Sequence, residues 1–398
     1  MWRGDVAMKA LAPFFIIATL SATDIDVVIK NTLLHNPTLK VYAQNIEALK
    51  YDKQNASLYK NPELTLGIND ILFDNVLDRG IEPMQTNFIT LTQTIPRGDK
   101  LQLQEKLLSS DEDIAALELE NLKDKLVTQI YQAAFEVRYF IKTNELRSQK
   151  IENLQQIQNY HSKHMLSSQA FEQLLQNDLS ITAEKIKIEE QKERMQQIYA
   201  QLEEISSMQL QDLQIKKDLL YKKQRNIQEH KLLQIQKKLV TKSGVQNALA
   251  KENKAADYTL SVGYYHRESF DDYVSFALKI PLNIYGREEN LVSKSLTQAN
   301  RAKANYEKVL KNIESLYTIN LSKLKSAEHS LELCYKIDET LDKELGIYKK
   351  QSVKNSIIKI LELENKKISN AIEIQKYLYD LSIAKVQLSY ITSSIRGQ

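Results

Sequence analysis

Little in this sequence is equipped for covalent chemistry. Six histidines and one cysteine are spread over 398 residues. The only local cluster of metal-ligand types is His161, His164 and Met165. Imidazole and thioether together suit soft ions such as copper, but three near-adjacent residues at a helix break also describe an ordinary solvated tip. The reading is therefore no resident metal, with these three as the candidates if one is held. Cys334 stands alone, which excludes an intrachain disulfide framework and a Cys-rich metal site. It falls on an apolar helix seam and reads as packing. There is no Gly-rich phosphate loop, no H-E-x-x-H and no G-x-S-x-G. No catalytic residue and no cofactor are implied, and the chain does not read as an enzyme. The 54 basic and 51 acidic residues leave a net charge of +3, which provides no field for nucleic acid.

A different chemistry is written in two stretches of strict alternation, 62–95 and 258–281. In the first, Leu64, Leu66 and Ile68 alternate with Thr65, Gly67 and Asn69. Ile89, Leu91 and Ile95 alternate with Thr90, Thr92 and Thr94, and Gln93 is the one polar residue on the apolar side. In the second, Leu260, Val262 and Tyr264 alternate with Ser261 and Gly263. Val274, Phe276, Leu278 and Ile280 alternate with Ser275, Ala277 and Lys279. Period two with one apolar face marks a half-buried or lipid-facing strand pair. Each pair ends in Ile-Pro, with Gly98 and Gly286 soon after.

The elements that position these strands are helical. Nine glycines and six prolines are few for the length, and residues 99–243 contain neither. Both residues are disfavoured in helix interiors, proline by about 3 kcal/mol against alanine. The expected order is a helix over Asp24 to about Lys60, divided near Asn36-Pro37; the first strand pair; a long helix, 99–165; and a return helix, 170–203. A helix from Gln209 to about Asn253 then leads to the second strand pair, a long helix, 287–350, and a return helix, 356–395. A helix of some 65 residues spans roughly 100 Å. Leu119, Leu122, Leu126, Ile130, Ala133, Val137 and Ile141 step by three and four, as a packing seam does. The halves, 23–206 and 207–398, read as a structural repeat. Residues 1–22 read as a secretory signal: Lys9, an apolar run from Ala10 to Leu20, then Ser21-Ala22.

Four strands with an apolar face do not stand alone. In lipid every backbone N–H and C=O must be paired internally, so only closed barrels are allowed. The smallest membrane barrels have about eight strands, so several protomers must share one. The inward residues Thr65, Thr90, Thr92, Ser261, Ser275 and Lys279 then line a water-filled lumen. Phe73, Phe88, Tyr258, Tyr264, Tyr265, Phe270 and Tyr273, near the strand ends, suit interfacial girdles.

The ordered set resembles the TolC-type outer-membrane efflux factors of Gram-negative bacteria. The resemblance rests on the Asn36-Pro37 helix start, the two Ile-Pro strand ends with their glycines, and the duplicated order of helix, strand pair, long helix and return helix. It also rests on Leu174-Leu175 and Ile360-Leu361, which stand where that family turns into its returning helices. The resemblance implies a mainly α fold with a small β part. Antiparallel helical hairpins form a trimeric α-barrel tunnel, and four strands per protomer enter a shared twelve-stranded membrane β-barrel. It implies a homotrimer in outer-membrane lipid, with its helical tunnel in the periplasm and the stretch from about Ile205 to Tyr221 at the tunnel's equator. It implies docking on a periplasmic adaptor bound to an inner-membrane RND or ABC pump. It also implies acidic rings at the periplasmic mouth. The two aspartates of that family fall here on Lys359 and Glu362, with Glu364 nearby and Asp178 as a further aperture candidate in the first half. Only Glu362 keeps the charge, which weakens a two-ring cation gate. The competing reading is a periplasmic coiled-coil adaptor or structural protein without a membrane barrel.

Overall fold

The computed structural model describes residues 23–74, 76–163, 168–210, 212–215, 226–350 and 356–396. The expected signal segment and the pair His164 and Met165 lie outside the described residues. A short strand β1 (Thr23–Asp24) leads into α1 (Ile25–His35) and α2 (Pro37–Ala56). The hairpin β2 (Glu63–Ile68) and β3 (Asn87–Ile95) follows, then α3 (Lys100–Lys163) and α4 (Ser168–Ser206). The second half runs through β4 (Leu213–Gln214), a 3-10 turn at Ile227–Glu229, α5 (Lys231–Glu252), β5 (Tyr258–His266), β6 (Tyr273–Lys279), α6 (Arg287–Lys350) and α7 (Ser356–Ile391).

Local chemistry sets the boundaries. Asn36 ends α1 and starts α2: its side-chain oxygen accepts from the N–H groups of Thr38 and Leu39, at 3.0 and 3.3 Å, with Pro37 in the first helical position. The amide of the same side chain donates to Ile205 O at 2.8 Å, and Asn31 donates to Ser206 O, so the two asparagines also satisfy the last carbonyls of α4. Gly98 and Gly286, which precede the two long helices, have φ of 71° and 69°, a left-handed backbone that favours glycine. Helices α3 and α6 are each 64 residues long, about 96 Å at the standard rise.

These helices build a wall one layer thick. In its upper part the lateral order is α2, α3, α5, α6; in its lower part it is α4, α3, α7, α6. The sheet repeats that order, β2-β3-β5-β6, all antiparallel. Each strand therefore continues the helix at its own place in the wall. Two apolar cores hold the layer together at mid-height. One joins Val28 of α1, Ile130 and Val137 of α3, Ile198 and Leu202 of α4, Leu210, Leu213 and Val386 of α7. The other joins Leu233 of α5, Ile313, Tyr317 and Leu324 of α6, and Leu388 and Ile391 of α7. Full burial of such side chains stabilises by about 1.5–3 kcal/mol each. Exposed pairs such as Lys238–Asp113 add ~0–1 kcal/mol.

One expectation fails. The stretch from Gln209 to Asn253 is not one helix. Leu213–Gln214 pairs in parallel with Thr23–Asp24, and α5 starts only at Lys231. The physical reason is tertiary: Leu210 and Leu213 are buried in the first core, and a strand placed there satisfies its backbone against β1. The start of α5 is set by His230, whose Nδ1 accepts from Leu232 N–H at 3.1 Å.

Candidate functional site

The four-stranded sheet presents two chemically distinct faces, and the register defines them. One column aligns Leu64, Leu91, Val262 and Phe276; the next aligns Leu66, Ile89, Tyr264 and Val274. This face lies open: Leu66 is 70% and Phe276 78% exposed. On the opposite face the columns read Thr65, Thr90, Gly263, Ser275 and then Glu63, Thr92, Ser261, Ala277. Lys279 stands beside Thr259 on this polar face. Thr92 and Ser261 share a hydrogen bond of 3.0 Å, and Thr94 and Thr259 one of 3.2 Å. All six residues expected to line a lumen thus share one face.

The expected girdle aromatics divide between the faces. Tyr258 and Tyr264 are on the apolar face. Phe88, Tyr265 and Tyr273 are on the Thr/Ser face, in one column with Gly67. Their rings stack across the strands at centroid separations of 5.4 Å and 4.8 Å. Strict parity contains this signal: Phe88 is one residue out of phase with Ile89, and Tyr265 is in phase with Ser261 and Gly263. The β5–β6 turn is fixed by Asp272. Its carboxylate accepts from the Tyr264 hydroxyl and from Arg267 N–H at 2.9 Å, with His266 Nδ1 3.0 Å away.

The aperture candidates lie on two separate hairpins. Lys359 and Glu362, one turn apart on α7, form an ion pair at 3.6 Å. Glu364 reaches across its hairpin to Lys349 of α6 at 3.5 Å. Asp178 is exposed on α4. Glu362 and Glu364 thus each have a lysine beside them, Lys349 being from outside the expected set. His161, at the end of α3, stands edge-on to Tyr160 at 5.9 Å. Among the described residues no group of three or more His, Cys, Asp or Glu side chains is placed to hold a metal.

Polar clamps stiffen the wall between sheet and aperture. Glu184 of α4 is paired with both Arg147 and Lys150 of α3. Burial alone would raise its pKa, but the hydrogen bonds from Lys150 and Arg147 outweigh that and hold the carboxylate below its usual range. At the other level Arg396 reaches Asp124 and Glu120, and the Tyr390 hydroxyl donates to Asn121 at 3.0 Å. Burial pushes Tyr390 up to about 12, and Asp124 adds to it. His230 packs edge-on against the Tyr390 ring, 5.1 Å between centroids. Burial, with Lys125 and Lys231 adding to it, lowers His230 to about 4.

Among the described residues no helix is long and apolar enough to cross a membrane. No protein-family profile and no curated protein matches the sequence. Solved structures do match. The Campylobacter jejuni CmeC outer membrane channel superposes with a TM-score of 0.73 at 12% identity, over 93% of this chain and 85% of that one. The outer membrane protein VceC of Vibrio cholerae gives 0.73 at 12% identity, over 92% and 95%. The open state of the Neisseria gonorrhoeae MtrE outer membrane channel gives 0.70 at 13% identity, over 92% and 90%. All three are outer membrane proteins, and CmeC and MtrE are channels. With its single-layer helical wall continued into a four-stranded sheet, this chain has the TolC-type fold of the outer membrane efflux channels.

Proposed function

We propose that the chain is the outer-membrane exit duct of a tripartite efflux or type I secretion system. Three copies close one barrel in the outer membrane and one helical tunnel in the periplasm. A periplasmic adaptor and an inner-membrane RND or ABC pump feed it. Residues 23–206 and 207–398 are its two repeats, behind a cleaved leader, and its role is passive transport without catalysis.

One observation carries this reading: sheet and helical wall have the same lateral order, and both end in open edges. Strands β2 and β6 each pair on one side only, and the sheet's aliphatic face is bare. Unpaired strand edges are not tolerated in lipid, and four strands are too few to close. A second copy at each edge satisfies the edges of sheet and wall together. The same argument disfavours a soluble adaptor or structural protein, which would leave the aliphatic face in water.

The test is expression with the full leader, fractionation, and mass measurement in mild detergent. A detergent-extracted outer-membrane trimer that opens ion-conducting pores in planar bilayers is expected. A product released by osmotic shock as a soluble monomer would overturn the proposal.

A further inference from the structure

The stacked rings of Phe88, Tyr265 and Tyr273 have no part in a smooth water-filled lumen, yet they stand on its face. They are at the hairpin-loop end of the sheet, the end away from the helices. Two glycines make room for them. A Cβ at Gly67 would run into the Phe88 ring, and one at Gly263 would lie 2.7 Å from Tyr265 Cε2. At these separations the rings overlap face to face as a ladder across β3, β5 and β6, with Phe88 covering Gly67 of β2, so the column offers ring edges on which a flat ring can lie edge-to-face. Rings Tyr265 and Tyr273 are within 2° of parallel.

The ladder ends on a cation. The guanidinium of Arg267 lies over the Tyr273 ring at 5.1 Å and near the Phe270 ring at 5.9 Å. It donates to the backbone oxygen of Asp271 and forms no ion pair among the described residues. Of the three carboxylates in the turn, Glu268, Asp271 and Asp272, the last is taken by Tyr264, His266 and Arg267 N–H, and none is ion-paired with the Arg267 guanidinium among the described residues. A guanidinium packed against aromatic rings still has N–H donors in its own plane for an anion.

We propose that this column is a binding site for planar aromatic anions at the outer end of the lumen: the flat ring rests on the Phe88–Tyr265–Tyr273 ladder and its carboxylate or sulfonate meets Arg267. The inference rests on the channel reading for the site's position in a lumen. The site itself lies within one chain.

The probe is pyrene-1-sulfonate, with proflavine as a planar cation for comparison. Added to the loop side of a conducting trimer, the sulfonate is expected to interrupt the current, and proflavine to do so at least tenfold less well. Arg267→Gln should abolish that preference. Tyr265→Leu with Tyr273→Leu should remove block by both probes, while Tyr265→Phe with Tyr273→Phe should retain it, which separates stacking from mere folding of the strands. Equal block by both probes in the native protein, or unchanged block in Arg267→Gln, overturns the proposal. Fluorescence anisotropy of pyrene-1-sulfonate with detergent-extracted protein reads the same differences without a pore. Absent conductance with Arg267-dependent binding would therefore count against the channel alone, and absent binding against the site alone.

Discussion

Acid should loosen this protein at the junction of α5 and α7, and the size of the effect follows from His230. Its imidazole is 3% exposed, accepts from Leu232 N–H to start α5, and packs on Tyr390. Burial disfavours the imidazolium, and Lys125 and Lys231 add to it, so the pKa is lowered to about 4; protonation also removes the acceptor that caps α5. The unfolded value is 6.5. Between those two values the unfolded chain binds the proton and the folded chain does not, so stability falls as pH drops below 6.5 and the loss is complete below about 4. Integrated to pH 4.5, the loss is about 2–3 kcal/mol, against roughly 1 kcal/mol at pH 5.5. The assay is hydrogen exchange of the first turns of α5, corrected for the intrinsic pH dependence, in the native protein and in His230→Asn. Asparagine is a competent helix cap that does not titrate. Protection in the native protein should fall by about 2–3 kcal/mol relative to the variant between pH 7.5 and 4.5. Parallel profiles would refute the assignment of the acid response to His230.

Two further outcomes follow from the clamps. Glu184→Gln leaves Arg147 and Lys150 facing each other with Arg147 largely buried, and should cost about 3–5 kcal/mol; protease cleavage within α3 and α4 reads it. The native clamp should hold above the unfolded carboxylate pKa of 4.5 and be lost as pH falls below it. Lys359→Gln removes the ion-pair partner of Glu362 and should raise the cation preference of the pore measured by reversal potential in a salt gradient, whereas Glu362→Gln should lower it. No change in either variant would remove Glu362 from the aperture.

Much of the fold was legible because local rules and tertiary packing agree. The long helices are stretches without glycine or proline, and Gly98 and Gly286 stand where the backbone turns left-handed. Strand faces followed from period two. The stretch after Ser206 misled because Leu210 and Leu213 have helical spacing, while the partner that draws Leu213 into a strand, Thr23, is remote in sequence. The aromatic ladder was missed for a different reason. Aromatics near strand ends fit a lipid girdle by composition, and only residue-by-residue parity sends Phe88, Tyr265 and Tyr273 to the other face. Sequence spacing names the aperture candidates but not the lysine that pairs with Glu364, because the Lys349 contact depends on hairpin register, which spacing does not fix.

The proposed trimer would give the bracing of the strand–helix joints a geometric reason. In a trimer, twelve strands at ~4.8 Å spacing and a tilt near 40° close at a radius of about 12 Å. Twelve helices at ~9–10 Å spacing close at about 18 Å. In the proposed trimer the wall would step inward at each joint, and three of the four joints carry proline, glycine or both: Pro62, Pro96 with Gly98, and Pro281 with Gly286. The steps are then tied to one another. Asp257, before β5, accepts from Arg97 N–H at 3.1 Å and from the Lys100 ammonium, binding the β3–α3 joint to the α5–β5 joint. These bonds outweigh the burial that would raise its pKa and keep its carboxyl below the usual range. Asn283 donates to Lys254 O at 2.7 Å and binds the β6–α6 joint to the same place. Three of the four joints in a protomer are therefore tied together, which is what the proposed barrel seated on a wider tunnel would require of a wall only one layer thick.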